Sequence, residues 1–182
     1  FEMSKVKFSK EDEALLKTYT KDTSVRNKSI FYVNALITAL APVYLFVSIN
    51  HIDVTDQWIP LTFAAAVTFY ALIFSSNNFK HLLKHKIVLK RAEGVTREVN
   101  KKFANDKNIK KSEKDERVLF RRNEVAEEEA TYLTVFIINA LFVASLFTLA
   151  FVFLSNVSPV FSAVIAMVGA SSFVAFLSTS KN

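Results

Sequence analysis

The sequence predicts an all-α, polytopic membrane protein with four transmembrane helices and an antiparallel helical hairpin between the second and third. Three observations predict it. Long blocks carry no Lys, Arg, Asp or Glu: Ser29 to Asn50, Gln57 to Asn78, and Ala130 to Ser180. Hydrophobic residues make up 51% of the chain, 18 of them Phe, which is rich for a soluble domain, where apolar residues reach roughly 45–50% even with Gly counted. Glycine and proline number 2 and 3, too few for turn-rich β architecture.

A helix needs about 20 apolar residues to cross the hydrocarbon core. The uncharged blocks supply that length once, once and twice. The first span is placed at Ile30 to Ile49, with Pro42 inside it as a site of kinking. The second runs from about Ile59 to Ser76, with Pro60 in its first turn, where the missing N–H costs nothing. Asp53 to Gln57 forms the link between them. The third span is Tyr132 to Leu154 and the fourth Val157 to Leu177, with Asn156, Ser158 and Pro159 in the turn.

Cations set the orientation. Of the 23 Lys and Arg residues, seven lie in 1–28, fifteen in 79–130, and the last is Lys181. The 51–57 and 155–158 links carry none. Basic loops stay on the cytosolic side, so both termini and the central segment are expected in the cytosol. The resulting division is a cytosolic segment 1–28 with a short amphipathic helix, spans 1 and 2 in 29–78, a basic cytosolic hairpin in 79–130, spans 3 and 4 in 131–178, and a cytosolic tail, 179–182. Ala39-Leu40-Ala41 has the small-residue form of a signal-peptidase site. It lies mid-span, ahead of Pro42 and behind a long basic leader, so an uncleaved span is expected. In Lys10 to Tyr19, Leu15, Leu16 and Tyr19 share one side, a pattern suited to the membrane surface.

The central segment has no proline and one glycine, Gly94. Val88, Ala92, Val95, Val99 and Phe103 recur at helical spacing and form one apolar stripe. Ala104 to Ile109 is the expected reversal. Ser112 with Asp115 offers a capping-type start, and Val118, Val125 and Tyr132 follow at heptad spacing. At 1.5 Å per residue, an arm of about 25 residues is roughly 37 Å long.

The tip and second arm are rich in cations: Lys107, Lys110, Lys111, Lys114, Arg117, Arg121 and Arg122. Spread over a turn and a helix, they suit a phosphate backbone met at several points, without sequence preference. A merely solvated charged face is the commoner meaning of a charge run, and both readings stay open on sequence alone. Lys80, Lys84, Lys86, Lys90 and Arg91 lie nearer the membrane and suit anionic headgroups, which the tip would stand several Debye lengths beyond.

Other residues point away from chemistry. With no cysteine, no disulfide framework or Cys-based metal site is possible. His81 and His85 share a helix face, but no further ligand accompanies them, so no metal or other cofactor is expected. Glu127, Glu128 and Glu129 lack a partner His or nucleophile and read as a solvated collar. Asn34 and Asn139 lie within spans as candidates for inter-helix hydrogen bonds. No ionisable residue lies inside a span, which counts against the alternative of a small four-span transporter or channel. No phosphate loop, nucleophile elbow or metalloprotease motif is present, so no enzyme is expected.

Three stretches carry a family resemblance. Residues 83–91 read Leu-Lys-His-Lys-Ile-Val-Leu-Lys-Arg. Residues 113–131 read Glu-Lys-Asp-Glu-Arg-Val-Leu-Phe-Arg-Arg-Asn-Glu-Val-Ala-Glu-Glu-Glu-Ala-Thr. The tail carries Ala170-Ser171-Ser172 and Leu177-Ser178-Thr179. Together with the four-span layout, these resemble the gamma subunit of the translocon-associated protein complex, also called the signal sequence receptor complex. The resemblance implies a multi-pass protein of the endoplasmic reticulum membrane that sits beside the Sec translocon channel. Its implied partners are alpha, beta and delta subunits, membrane lipid and the large ribosomal subunit, through ribosomal RNA and protein. The implied role is to assist co-translational translocation without catalysis. The positions that match the family's basic stretch are Lys107, Lys110, Lys111, Lys114 and Arg117, with slightly different spacing.

Overall fold

The computed structural model describes the backbone of residues 10–102 and 111–180, and the side chains of 28–98, 101 and 118–180. Every element among them is helical: α1 (Lys10–Asn50), α2 (Val54–Lys102), α3 (Lys111–Phe147), a π-helical segment (Thr148–Phe153) and α4 (Pro159–Thr179). Four stretches are long and apolar enough to cross a membrane: Lys28–Asn50, Val54–Glu98, Val118–Phe153 and Pro159–Thr179. The all-α, four-span reading therefore stands. The chain divides into two compact units, one within 29–83 and 131–182, the other within 1–28 and 84–130.

Several helix ends follow from local chemistry. The first reversal is tighter than the predicted Asp53–Gln57 link. It is made at His51, which takes a left-handed φ of 50°. Asp53 then accepts hydrogen bonds from the Thr55 amide, at 3.1 Å, and from the Thr55 hydroxyl, capping the first turn of α2. These two bonds hold the exposed Asp53 carboxyl below its ordinary pKa. Gln57 leaves helical geometry, with φ −115° and ψ 21°. Pro60 thus stands in the first turn after a break, where its missing donor is tolerated. Pro42 is buried inside α1, which continues through it as helix. Ser158 is the N-cap of α4 and Pro159 its first residue.

In the 29–83/131–182 unit, the four spans meet on alanines interleaved with larger apolar residues. α1 contributes Phe31, Ala35 and Ala39, α2 Leu61, Ala64, Thr68 and Leu72, and α3 Ile138, Phe142 and Leu146. Ala163, Ala166, Met167, Ala170 and Val174 complete the core from α4. Against lipid there is no hydrophobic drive between spans, so close van der Waals approach holds them, and small residues permit it. Several buried hydroxyls are satisfied along their own helices, as where Ser75 donates to the Ala71 carbonyl and Ser76 to that of Leu72, both at 2.7 Å, whereas the Thr68 hydroxyl is buried without a partner among the described residues. Large side chains such as Tyr44, Tyr70, Phe136 and Phe176 point outward. Tyr132 is also outward-facing, so the heptad spacing that places it with Val118 and Val125 does not make it a core residue. Thr131 and Thr134 take the inward positions beside it.

Candidate functional site

The polar centre of the four-helix unit lies between α1 and α3. Asn34 and Asn139 exchange reciprocal amide hydrogen bonds of 3.1 and 2.9 Å, and the Thr38 hydroxyl donates to Asn139 Oδ1 at 3.1 Å. The two asparagines anticipated as inter-helix groups are partners of each other. Thr38, one turn beyond Asn34, adds a third member. The arrangement clamps two spans and has no group able to exchange a proton near neutral pH. On α2, Lys80 lies 5.7 Å from the ring centroid of Phe31, within cation–π range.

In the other unit, the α2 and α3 segments pack through Val95, Val118 and Val125. Of the predicted stripe, Val95 is buried and Val88 and Ala92 are half-buried, Ile87 beside them is buried as well, and the side chains of Val99 and Phe103 lie outside the described set. Charged side chains flank this contact. Lys84 pairs with Glu127 at 2.8 Å, and Glu127 is 3% exposed. Arg91 meets Glu129 with two nitrogens, at 2.9 and 3.2 Å, in a bidentate fork. Arg121 pairs with Glu124 on its own helix at 2.7 Å. Arg122 donates to the Thr96 hydroxyl, and its Nε is buried without a hydrogen-bond partner. Asn123 is also buried.

These contacts redistribute the cations. Arg122 reaches across the helix pair to Thr96 while remaining half-buried. Lys84 and Arg91 are engaged by glutamates, whereas Lys86 and Lys90 are exposed. The expected solvated collar is corrected at Glu127, which is an interior carboxylate because Lys84 reaches it across the helix pair. Lys107 and Lys110 lie outside the described residues. Lys111, Lys114 and Arg117 stand in the first turns of α3, and their side chains lie outside the described set.

The chain matches the family described as translocon-associated protein, gamma subunit (TRAP-gamma), over residues 11–180. It belongs to that family. It is 27% identical over 173 residues to the translocon-associated protein subunit gamma of Dictyostelium discoideum, covering 93% of this chain and 96% of that protein.

On this TRAP-gamma family member, the described surface carries a basic stripe that sequence reading had divided or missed. Lys86, Lys90, Arg97 and Lys101 are all exposed on α2. Their offsets of 4, 7 and 4 keep them within about 60° of arc over roughly 22 Å of helix. Glu93, also exposed, lies about 20° outside that arc, so the stripe is basic with an acidic residue at its edge. Its spacing was readable as the complement of the Ile87–Val95 face. Lys86 and Lys90 had instead been grouped with Lys80, Lys84 and Arg91 by distance from the span. Among the described residues, no group of three His, Cys, Asp or Glu side chains is placed to hold a metal.

Proposed function

We propose that this chain is a non-enzymatic accessory subunit of the endoplasmic reticulum translocon whose basic segment contacts the large ribosomal subunit. Its spans anchor it beside the Sec channel with the alpha, beta and delta subunits. Both termini and the 79–130 segment then face the cytosol. Family membership supports the translocon association. The observation that carries the rest is the charge distribution: the 23 Lys and Arg residues all lie outside the two short links and the apolar span cores. A bilayer retains such segments on the cytosolic side. A polycation there binds RNA phosphates by releasing counterions, independently of base sequence.

Lys107, Lys110, Lys111, Lys114 and Arg117 are the proposed contact cluster, extended by Arg121 and by the exposed stripe on α2. Arg122 is proposed with them, from a half-buried position bonded to the Thr96 hydroxyl. Lys86 and Lys90 also suit anionic headgroups. The test combines Lys110→Glu, Lys111→Glu and Lys114→Glu in the full chain and measures co-sedimentation with ribosomes across a salt series. The triple reversal is expected to weaken binding at least tenfold near physiological salt and to flatten its salt dependence. Unchanged co-sedimentation rejects the cluster, and glycosylation of a sequon inserted within 104–110 rejects the orientation.

A further inference from the structure

We propose that a cavity at the end of the four-helix unit carrying the two short links holds the headgroup-proximal part of one acyl chain of a neutral membrane phospholipid. The cavity measures about 410 Å³, within the ~300–1,000 Å³ range of sites that enclose small molecules. Leu45 and Phe46 of α1 form one wall, and Leu146 and Ala150 another. The polar lining is concentrated toward the helix ends: Asn50 is the last residue of α1, Ser155 lies in the α3–α4 link, and Ser162 is in the first turn of α4.

This gradient selects the occupant. No Lys, Arg, Asp, Glu or His lines the cavity, so an ionic ligand would lose its hydration without gaining a counter-charge. A peptide entering it would bury backbone amides that the apolar walls cannot satisfy. A hydrocarbon chain needs no polar partner, and a surrounding bilayer supplies one. A spanning partner helix needs about 30 Å of contact surface, whereas the α1 wall, Leu45–Asn50, is only about 9 Å long. The mouth offers an amide and hydroxyls but no cation, which favours a headgroup of no net charge over an anionic one.

The π-helical segment contributes to the shape. The Leu154 amide donates to the Leu149 carbonyl at 3.0 Å, an i→i+5 bond, so the helix is widened where Ala150 and Phe151 meet the cavity. A Cβ at Gly169 of α4 would stand 3.1 Å from the Leu149 side chain. The absence of a side chain there lets α4 approach the π-helical segment closely at Leu149.

The inference rests on the four membrane spans and not on ribosome contact. Its test uses the full chain in phosphatidylcholine vesicles doped with a phosphatidylcholine bearing a diazirine near the carbonyl end of one acyl chain. After photolysis, peptides containing Leu45–Asn50 and Leu146–Leu154 are expected to carry several-fold more label than the peptide containing outward-facing Phe136. Ile49→Trp, at an exposed position on the cavity rim, should reduce that label several-fold, and Phe151→Ala on the opposite wall should raise it. Phe176→Trp, outside the cavity, should leave it unchanged. Even labelling around the bundle, or labelling indifferent to both cavity variants, overturns the assignment. Stronger labelling by the matching phosphatidylserine overturns the neutral headgroup. Loss of lipid label in the intact complex, with subunit crosslinks at Ile49 in its place, assigns the cavity to a partner chain and overturns the lipid.

Discussion

At the scale of single residues, the decisive side chains are those that change from surface charge to interior contact. Glu127 is nearly inaccessible, and Lys84, whose side chain is 23% exposed, meets it at 2.8 Å. Removing one member of such a pair costs more than removing both, because a buried carboxylate then loses its cation. Lys84→Met is expected to destabilise the 1–28/84–130 unit by about 3 kcal/mol, and Lys84→Met with Glu127→Leu by clearly less. A double-mutant cycle followed by thermal unfolding in detergent measures this, and additive losses would refute it. Arg122 also reaches across the helix pair, but to a neutral partner, the Thr96 hydroxyl, and from a half-buried position. Both residues looked like surface charge in the sequence, where a cation next to a solvated face and one reaching across a helix pair have the same local pattern.

Among the elements, helix type and helix ends were largely legible, while departures from α geometry were not. Proline and cap chemistry act over one turn, so Pro60 and Ser158-Pro159 announce their helix starts. The π-helical segment contains neither Pro nor Gly: it reads Thr-Leu-Ala-Phe-Val-Phe. Its geometry depends on what packs against it, including the close approach at Gly169. The Asn34–Asn139 clamp is intermediate. Two asparagines inside spans predict inter-helix hydrogen bonds, but their mutual pairing requires α1 and α3 to be neighbours at that level. Asn139→Leu removes the acceptor for both Asn34 and Thr38. It is expected to cost about 0.6–1.7 kcal/mol in a detergent-denaturant titration, with Asn34→Leu adding less in the Asn139→Leu background than alone.

For the whole molecule, charge placement connects sequence to the proposed role. The exposed α2 cations Lys86, Lys90, Arg97 and Lys101 form a basic stripe of their own. If they meet phosphates, reversing Arg97 and Lys101 to Glu should weaken ribosome binding several-fold and lower the salt slope by roughly one per lost contact. A slope that does not change assigns those two residues to solvent. Lys86→Glu with Lys90→Glu should instead reduce binding to anionic vesicles if that end of the stripe serves headgroups.

The sequence by itself determined the all-α class, the number of spans and the uneven placement of cations. Each follows from a one-dimensional quantity: apolar run length against bilayer thickness, scarcity of turn residues, or the count of Lys and Arg between runs. The tertiary structure alone decided that Asn34 holds Asn139, that Glu127 turns inward, that Arg122 reaches Thr96, that α3 runs into a π turn, and that a cavity opens beside Ala150. Those features depend on which helix lies opposite which. That pairing is a sum of many small packing and hydrogen-bond terms between residues distant in the chain, and no local pattern encodes it.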